Sequence, residues 1–109
     1  MPWVDVCSVD EVFEDRINAF DAGGHHLLVM NTGGKLSALD GTCTHEDADL
    51  GLGFFIDGRI TCPLHISAFD PQTGKVHNPP AERDLPAYPL KTEGSRVLVQ
   101  LPEGGAQGI

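Results

Sequence analysis

Apolar positions come in short bursts along the chain, separated by turn-forming residues. Turn signals stand at "DAGG" (21–24), "NTGG" (31–34), "LDG" (39–41), "IDGR" (56–59), "QTGK" (72–75) and "TEGS" (92–95). Between them the pattern predicts strands at Ile17–Phe20, His26–Met30, Lys35–Leu39, Phe54–Ile56, Arg59–Thr61, Ala87–Lys91 and Arg96–Leu101. "RVLVQL" mixes β-branched and apolar residues as a half-buried strand does. "FIDGRI" predicts a tight hairpin, because Asp57-Gly58 takes positive φ at low cost. The only helical candidate is "SVDEVFEDR" (8–16), with Ser8 as N-cap and Glu11 as its capping-box partner. That segment reads equally as a turn after a first strand. Regularly spaced strands and turns predict an all-β sandwich or barrel.

The chain is 109 residues with 13 glycines and 8 prolines, and a single domain over 1–109 is expected. The longest apolar run, Leu27–Met30, is far too short to span a bilayer. The N-terminal stretch "MPWVDVCSVDEVFED" has no basic segment followed by an apolar one, so a cytoplasmic location is expected. With 16 acidic residues against 7 Lys and Arg, the formal charge is −9. Nucleic acid and anionic membranes are therefore poor partners, since phosphate contacts need clustered cations. Acidic surface suits steering toward a basic patch on a protein, or simply confers solubility. The tail 102–109 reads as frayed.

Two of three cysteines and two of five histidines fall between 43 and 65. The pattern is C-x-H (Cys43, His45), then residues 46–61, then C-x-x-H (Cys62, His65). A disulfide between Cys43 and Cys62 is one reading, but the histidines close behind each cysteine favour metal ligation. Four N and S ligands suit zinc or an iron–sulfur cluster. Common zinc fingers place two cysteines on one knuckle and two histidines on the other, whereas here each short segment carries one of each. A dinuclear site uses such an arrangement, with the cysteines on one metal and the histidines on the other. Cys7 stands apart and reads as a small buried apolar residue. His25 and His26 read as turn or strand-edge residues, and His77 as a surface residue.

The extended pattern "CTH…CPLHISAFDPQTGKV…NPPA…LPAYPLKTEGSRVLV" (43–99) resembles the Rieske-type [2Fe–2S] family, in which two histidines replace two cysteines on one iron. The resemblance implies an antiparallel β-sandwich with a small cluster-binding subdomain of two loops, about 41–80. It implies one [2Fe–2S] cluster per chain. Cys43 and Cys62 would hold the inner iron, and His45 and His65 the outer one. The Asn78–Pro80 turn would cover the cluster. Imidazoles carry no negative charge, so the site passes only from neutral to singly negative on reduction. That places Rieske potentials at roughly −150 to +300 mV, above the roughly −400 mV of plant-type ferredoxins.

High-potential members carry an extra cysteine in each loop. Here Ala48 and Leu64 stand at those places. Ser67 keeps one hydroxyl donor, but Phe69 stands where a tyrosine would give another. Fewer donors to the cluster predict a potential in the lower half of the Rieske range.

A terminal oxygenase subunit would also need a mononuclear iron triad, for which the chain offers no place. The resemblance therefore implies a one-electron carrier rather than an enzyme, like the ferredoxins of bacterial aromatic-ring dioxygenase systems. Its implied partners are a flavin-dependent NAD(P)H ferredoxin reductase and a terminal oxygenase. Nothing predicts an oligomer, so a monomer is expected. Glu46, Asp47 and Asp49 are expected to ring the histidine end with negative charge. The alternatives are a small Rieske subunit of another oxidoreductase, such as a nitrite-reductase-type complex, and a zinc-stabilised interaction module. The substrate of the oxygenase is not written in this sequence.

Overall fold

The structure, a computed structural model, describes residues 3–42, 49–63, 68–77 and 84–102. Among the described residues ten strands run in the order β1 (Trp3–Ser8), β2 (Ala19–Ala22), β3 (His25–Thr32), β4 (Lys35–Asp40), β5 (Phe54–Ile56), β6 (Arg59–Thr61), β7 (Ala68–Phe69), β8 (Ala87–Tyr88), β9 (Leu90–Glu93) and β10 (Arg96–Gln100). They form three antiparallel sheets, β1-β10-β9, β2-β3-β4-β8 and β5-β6-β7. Among the described residues no helix is long and apolar enough to cross a membrane.

The middle sheet explains the unbroken apolar run in β3. Successive side chains of a strand point to opposite faces, so a strand covered on both sides is apolar throughout. Leu27 and Val29 pack with Cys7, Val97 and Val99 of the first sheet. Leu28 and Met30 pack the other way, with Ile60, Cys62 and Phe69 of the small-sheet side. All four β3 residues are fully buried. Cys7 is buried at 2 % exposure, as its lone position suggested.

The turns form for the reasons their residues supply. Asp57 and Gly58 both take positive φ, +52° and +75°, as a two-residue hairpin with matching twist needs. Ser8 and Glu11 complete the capping box, but it closes a single 3-10 turn, Val9–Glu11, rather than a helix. Asn18 ends that stretch. It is buried, and its amide side chain binds the Phe13 backbone on both N–H and C=O. The strand expected at Ile17 consequently begins at Ala19. The expected strand Ala87–Lys91 is divided at Pro89, where the chain leaves β4 (Ala38 opposite Tyr88) for β10 (Val99 opposite Leu90). Proline has no N–H for a ladder, so a crossing between sheets is its natural place.

Candidate metal centre

The small sheet sets up the site. Phe54 pairs with Thr61, and Thr61 with Ala68. The His77 N–H then donates to the Ala68 carbonyl at 2.8 Å, continuing the row. Cys62 follows Thr61 directly and is 2 % exposed. It belongs to one apolar core cluster with Leu28, Met30, Leu39, Leu50, Ile60, Phe69 and Leu85. Its sulfur is a free thiol in an apolar wall. A thiolate there lacks water to solvate it, and a bound metal ion is the group that would compensate its charge.

Cys43, His45 and His65, the other residues singled out as ligands, lie outside the described residues, as do Glu46, Asp47, Ala48, Leu64, Ser67 and the Asn78–Pro80 turn. Their flanks are well placed. Thr42 bridges Asp49 in antiparallel fashion, so the ends of 43–48 are held together. Thr61 pairs with Ala68, so the ends of 62–67 are held the same way. The two segments have equal length, and each begins with its cysteine. Leu50, directly after Asp49, sits in the same apolar cluster as Cys62, which brings the two anchors together. A third anchor closes 78–83: the Val76 N–H donates to Asp84 at 2.9 Å, and the Leu85 N–H to the Gly74 carbonyl at 2.8 Å. Gly74 takes φ +79°, and a Cβ there would collide with the Leu85 carbonyl oxygen. The donor chemistry, a buried thiol at Cys62 with Cys43, His45 and His65 in the sequence that the anchored flanks bracket, fits a His/Cys-ligated cluster. Among the described residues alone there is no group of three or more metal-ligating side chains.

Gly53 couples the anchors by close approach. A Cβ there would collide with the Thr61 carbonyl oxygen and lie 3.4 Å from Pro63 Cδ. Its φ is −85°, so the constraint is space and not backbone conformation. Gly53→Ala is expected to push the 3-10 turn Leu50–Leu52 away from β6, at a cost of about 1–3 kcal/mol. Urea unfolding of the two proteins would measure it, and an unchanged midpoint would refute the close-contact argument.

Several expectations change here. Asp49 does not simply point negative charge at a partner. Its Oδ1 accepts from the Gly51 N–H at 2.7 Å and lies 2.6 Å from His26 Nε2. These bonds hold its pKa below the usual value against the opposing effect of burial. His25 is buried at the start of β3 rather than at an exposed edge. Its ring meets Tyr88 edge-on, and Nε2 is 3.2 Å from the Pro102 carbonyl oxygen. Tyr88 in turn has its pKa pushed up to about 12, by burial and by the charge of Asp40 beside it. His77 is exposed, as expected. Phe69 is fully buried against the Cys62 cluster, so the wall offers a phenyl edge with no hydroxyl. The role of His26 was invisible in the sequence, since its partners Asp21 and Asp49 follow no spacing rule.

Comparison with known proteins agrees with this geometry. The Rieske [2Fe-2S] domain profile matches residues 2–89. The ferredoxin component of the alkene monooxygenase system of Xanthobacter autotrophicus (strain ATCC BAA-1158 / Py2) is 37 % identical over 107 residues, covering 94 % of this chain and 87 % of that one. The solved ferredoxin of carbazole 1,9a-dioxygenase from Nocardioides aromaticivorans IC177 superposes with a TM-score of 0.82 at 31 % identity, covering 91 % of this chain and 97 % of that one. A solved complex of reduced oxygenase and oxidized ferredoxin in carbazole 1,9a-dioxygenase includes a chain matched at TM-score 0.76 and 29 % identity, covering 89 % of this chain and 91 % of that one. Zinc modules are thereby set aside. The three-sheet fold, the thiol at the head of its anchored segment and these matches agree: the chain belongs to the Rieske [2Fe–2S] family, among its ferredoxins.

Proposed function

We propose that this protein is a one-electron carrier that takes electrons from a flavoprotein NAD(P)H ferredoxin reductase and delivers them to a terminal non-haem iron oxygenase. Cys43, His45, Cys62 and His65 would hold the [2Fe–2S] cluster, which when bound accepts and releases a single electron. The observation that supports this ligand set most is the matched pair of anchors, Thr42 with Asp49 and Thr61 with Ala68, each closing a segment headed by a cysteine. The buried Cys62 supplies the inner side. The histidines, two and three residues further along their segments, would then serve the outer, partner-facing side.

The chain's own residues perform three tasks. The apolar wall of Leu28, Met30, Leu50, Ile60 and Phe69 keeps water from the thiolate side. The anchors fix the flanks of the two segments, Thr42 against Asp49 and Thr61 against Ala68. Beside the site, Leu52 and Phe54 leave apolar surface exposed, at 72 % and 54 %. A partner covering that flank would gain from burying it. The relatives named above serve an alkene monooxygenase system and a carbazole dioxygenase, so the substrate class belongs to the oxygenase and not to this carrier.

Stopped-flow mixing tests the role. Protein reduced by NADH and a ferredoxin reductase should be reoxidised by the terminal oxygenase component at a rate that saturates with oxygenase concentration. Failure to exchange electrons with both components of any such system would refute the proposal. Ionic strength gives a further expectation. With a net charge of −9, association with a basic patch should slow as salt rises, since the Debye length falls from about 10 Å at 0.1 M to about 3 Å at 1 M. A second-order rate independent of salt would count against electrostatic steering. Glu46 and Asp47 remain the charges expected to serve it, because Asp49 is engaged within the scaffold.

A further inference from the structure

His26 grips both ends of the segment that carries Cys43 and His45. From its backbone, the His26 carbonyl accepts the Gly41 N–H at 2.9 Å, and the Gly41 carbonyl accepts the Leu50 N–H at 2.8 Å. From its ring, Nε2 lies 2.6 Å from Asp49 Oδ1, and Nδ1 lies 2.6 Å from Asp21 Oδ1. Gly41 is moulded to the same ring: a Cβ there would sit 2.5 Å from His26 Cδ2. Asp21 is the cross-strand partner of His26 in the β2–β3 ladder, so the far side of the clamp is fixed by the sheet.

An ionised carboxylate only accepts hydrogen bonds. A ring with a carboxylate oxygen at hydrogen-bond distance from each nitrogen satisfies both only as the imidazolium, donating from Nδ1 and Nε2 together. The neutral ring donates from one nitrogen and turns a lone pair on the other carboxylate. Among the described residues, the hydrogen bonds of the ring go to Asp21 and Asp49. His25 next to it turns to Pro102 and Tyr88, and Asp40 on β4 accepts from the Thr42 N–H and the Tyr88 hydroxyl.

We infer that His26 is a positioning residue for the cluster: its doubly bonded ring, strung between Asp21 and Asp49, fixes the base of the segment bearing Cys43 and His45 and so governs how firmly the cluster is retained. This rests on those two residues being ligands. Burial would lower the pKa of His26, but its bonds to Asp21 and Asp49 outweigh that and hold it above the ordinary 6.5. The sign follows. The clamp is whole below the raised pKa of His26 and above the lowered pKa of Asp49. It fails as pH rises through the first or falls through the second.

The test uses the holoprotein. The His26 ring is titrated by NMR, and loss of the cluster to an iron chelator is followed by visible absorbance from mildly acidic to alkaline pH. In the wild type, the loss rate should rise along the His26 titration curve. Asp21→Asn keeps an acceptor and leaves Asp49 untouched. It should lower the His26 pKa and shift the loss profile by the same amount, which titration of the ligand histidines would not do. His26→Gln should give a profile without that inflection. His26→Ala should lose its cluster about tenfold faster below the wild-type pKa, as removal of residues that orient metal ligands does elsewhere. If Asp21→Asn moves the pKa of His26 but not the loss profile, the inference is overturned even should His26→Ala fail to fold. A Rieske spectrum that survives Cys43→Ala would instead overturn the ligand assignment, and the inference with it.

Discussion

Cys62→Ala is expected to give a protein that holds no iron and shows no visible absorption, while Cys7→Ala keeps both. The two thiols are alike in burial, each 2 % exposed, so burial does not distinguish them. Their surroundings do. Cys7 lies on β1 opposite Val97, packed in the core between the first two sheets, in a different apolar cluster from Cys62. Burial, aided by Glu11, pushes its pKa up to about 11, so it remains a protonated, inert thiol. Cys62 lies at the exit of β6, where the chain passes into the segment carrying His65. Losing it removes one of two thiolates from the proposed ligand set, which the histidines cannot replace. Because metal binding free energy is also folding free energy, the apo protein should melt at a lower temperature as well. Iron analysis and the visible spectrum of both variants check this. Full iron content in Cys62→Ala would refute the ligand assignment.

Phe69→Ala should be the most damaging change to the fold. Phe69 is fully buried, one of two residues in β7, and opposes Ile60 on one side and Val76 on the other. It belongs to the apolar core cluster of Leu28, Met30, Leu50, Leu85 and Cys62. Truncation removes apolar contact and leaves a cavity, which together cost about 3–5 kcal/mol at comparable sites. Domains of this size are stable by only about 5–15 kcal/mol, so the variant should be marginal and should release its cluster readily. Denaturant unfolding followed by far-UV circular dichroism would show the loss. A change below about 1 kcal/mol would mean that the small sheet is not held by this core.

Much of this architecture can be read from the residues because local chemistry and tertiary structure agree there. Phe54–Ile56, Asp57-Gly58 and Arg59–Thr61 form the predicted hairpin with the predicted boundaries, since a turn that demands positive φ leaves little choice of register. The run "LLVM" is apolar on both faces because two different sheets cover it. The short strands are harder to read. β7 has two residues, too few for any periodicity, and exists because Thr61 and Ile60 offer it partners. β1 reads as a strand only through its pairing with β10, whose register shifts between Asp5 and Cys7 and breaks the alternation. Pro89 divides one apolar run between two sheets. The ligand pattern, by contrast, stands out in the sequence because metal coordination restricts residue type more sharply than packing does. The support behind it is scattered, and Asp21, His26 and Asp49 become a unit only when β2, β3 and the turn after Asp49 meet.

The most direct measurement is the EPR and visible spectrum of the purified protein before and after dithionite. A red-brown protein, EPR-silent when oxidised, whose reduced form gives the low average g value of a histidine-ligated [2Fe–2S] cluster, is the predicted result. A reduced spectrum typical of an all-cysteine cluster, or a colourless protein with stoichiometric zinc, would contradict the assignment of His45 and His65 as ligands.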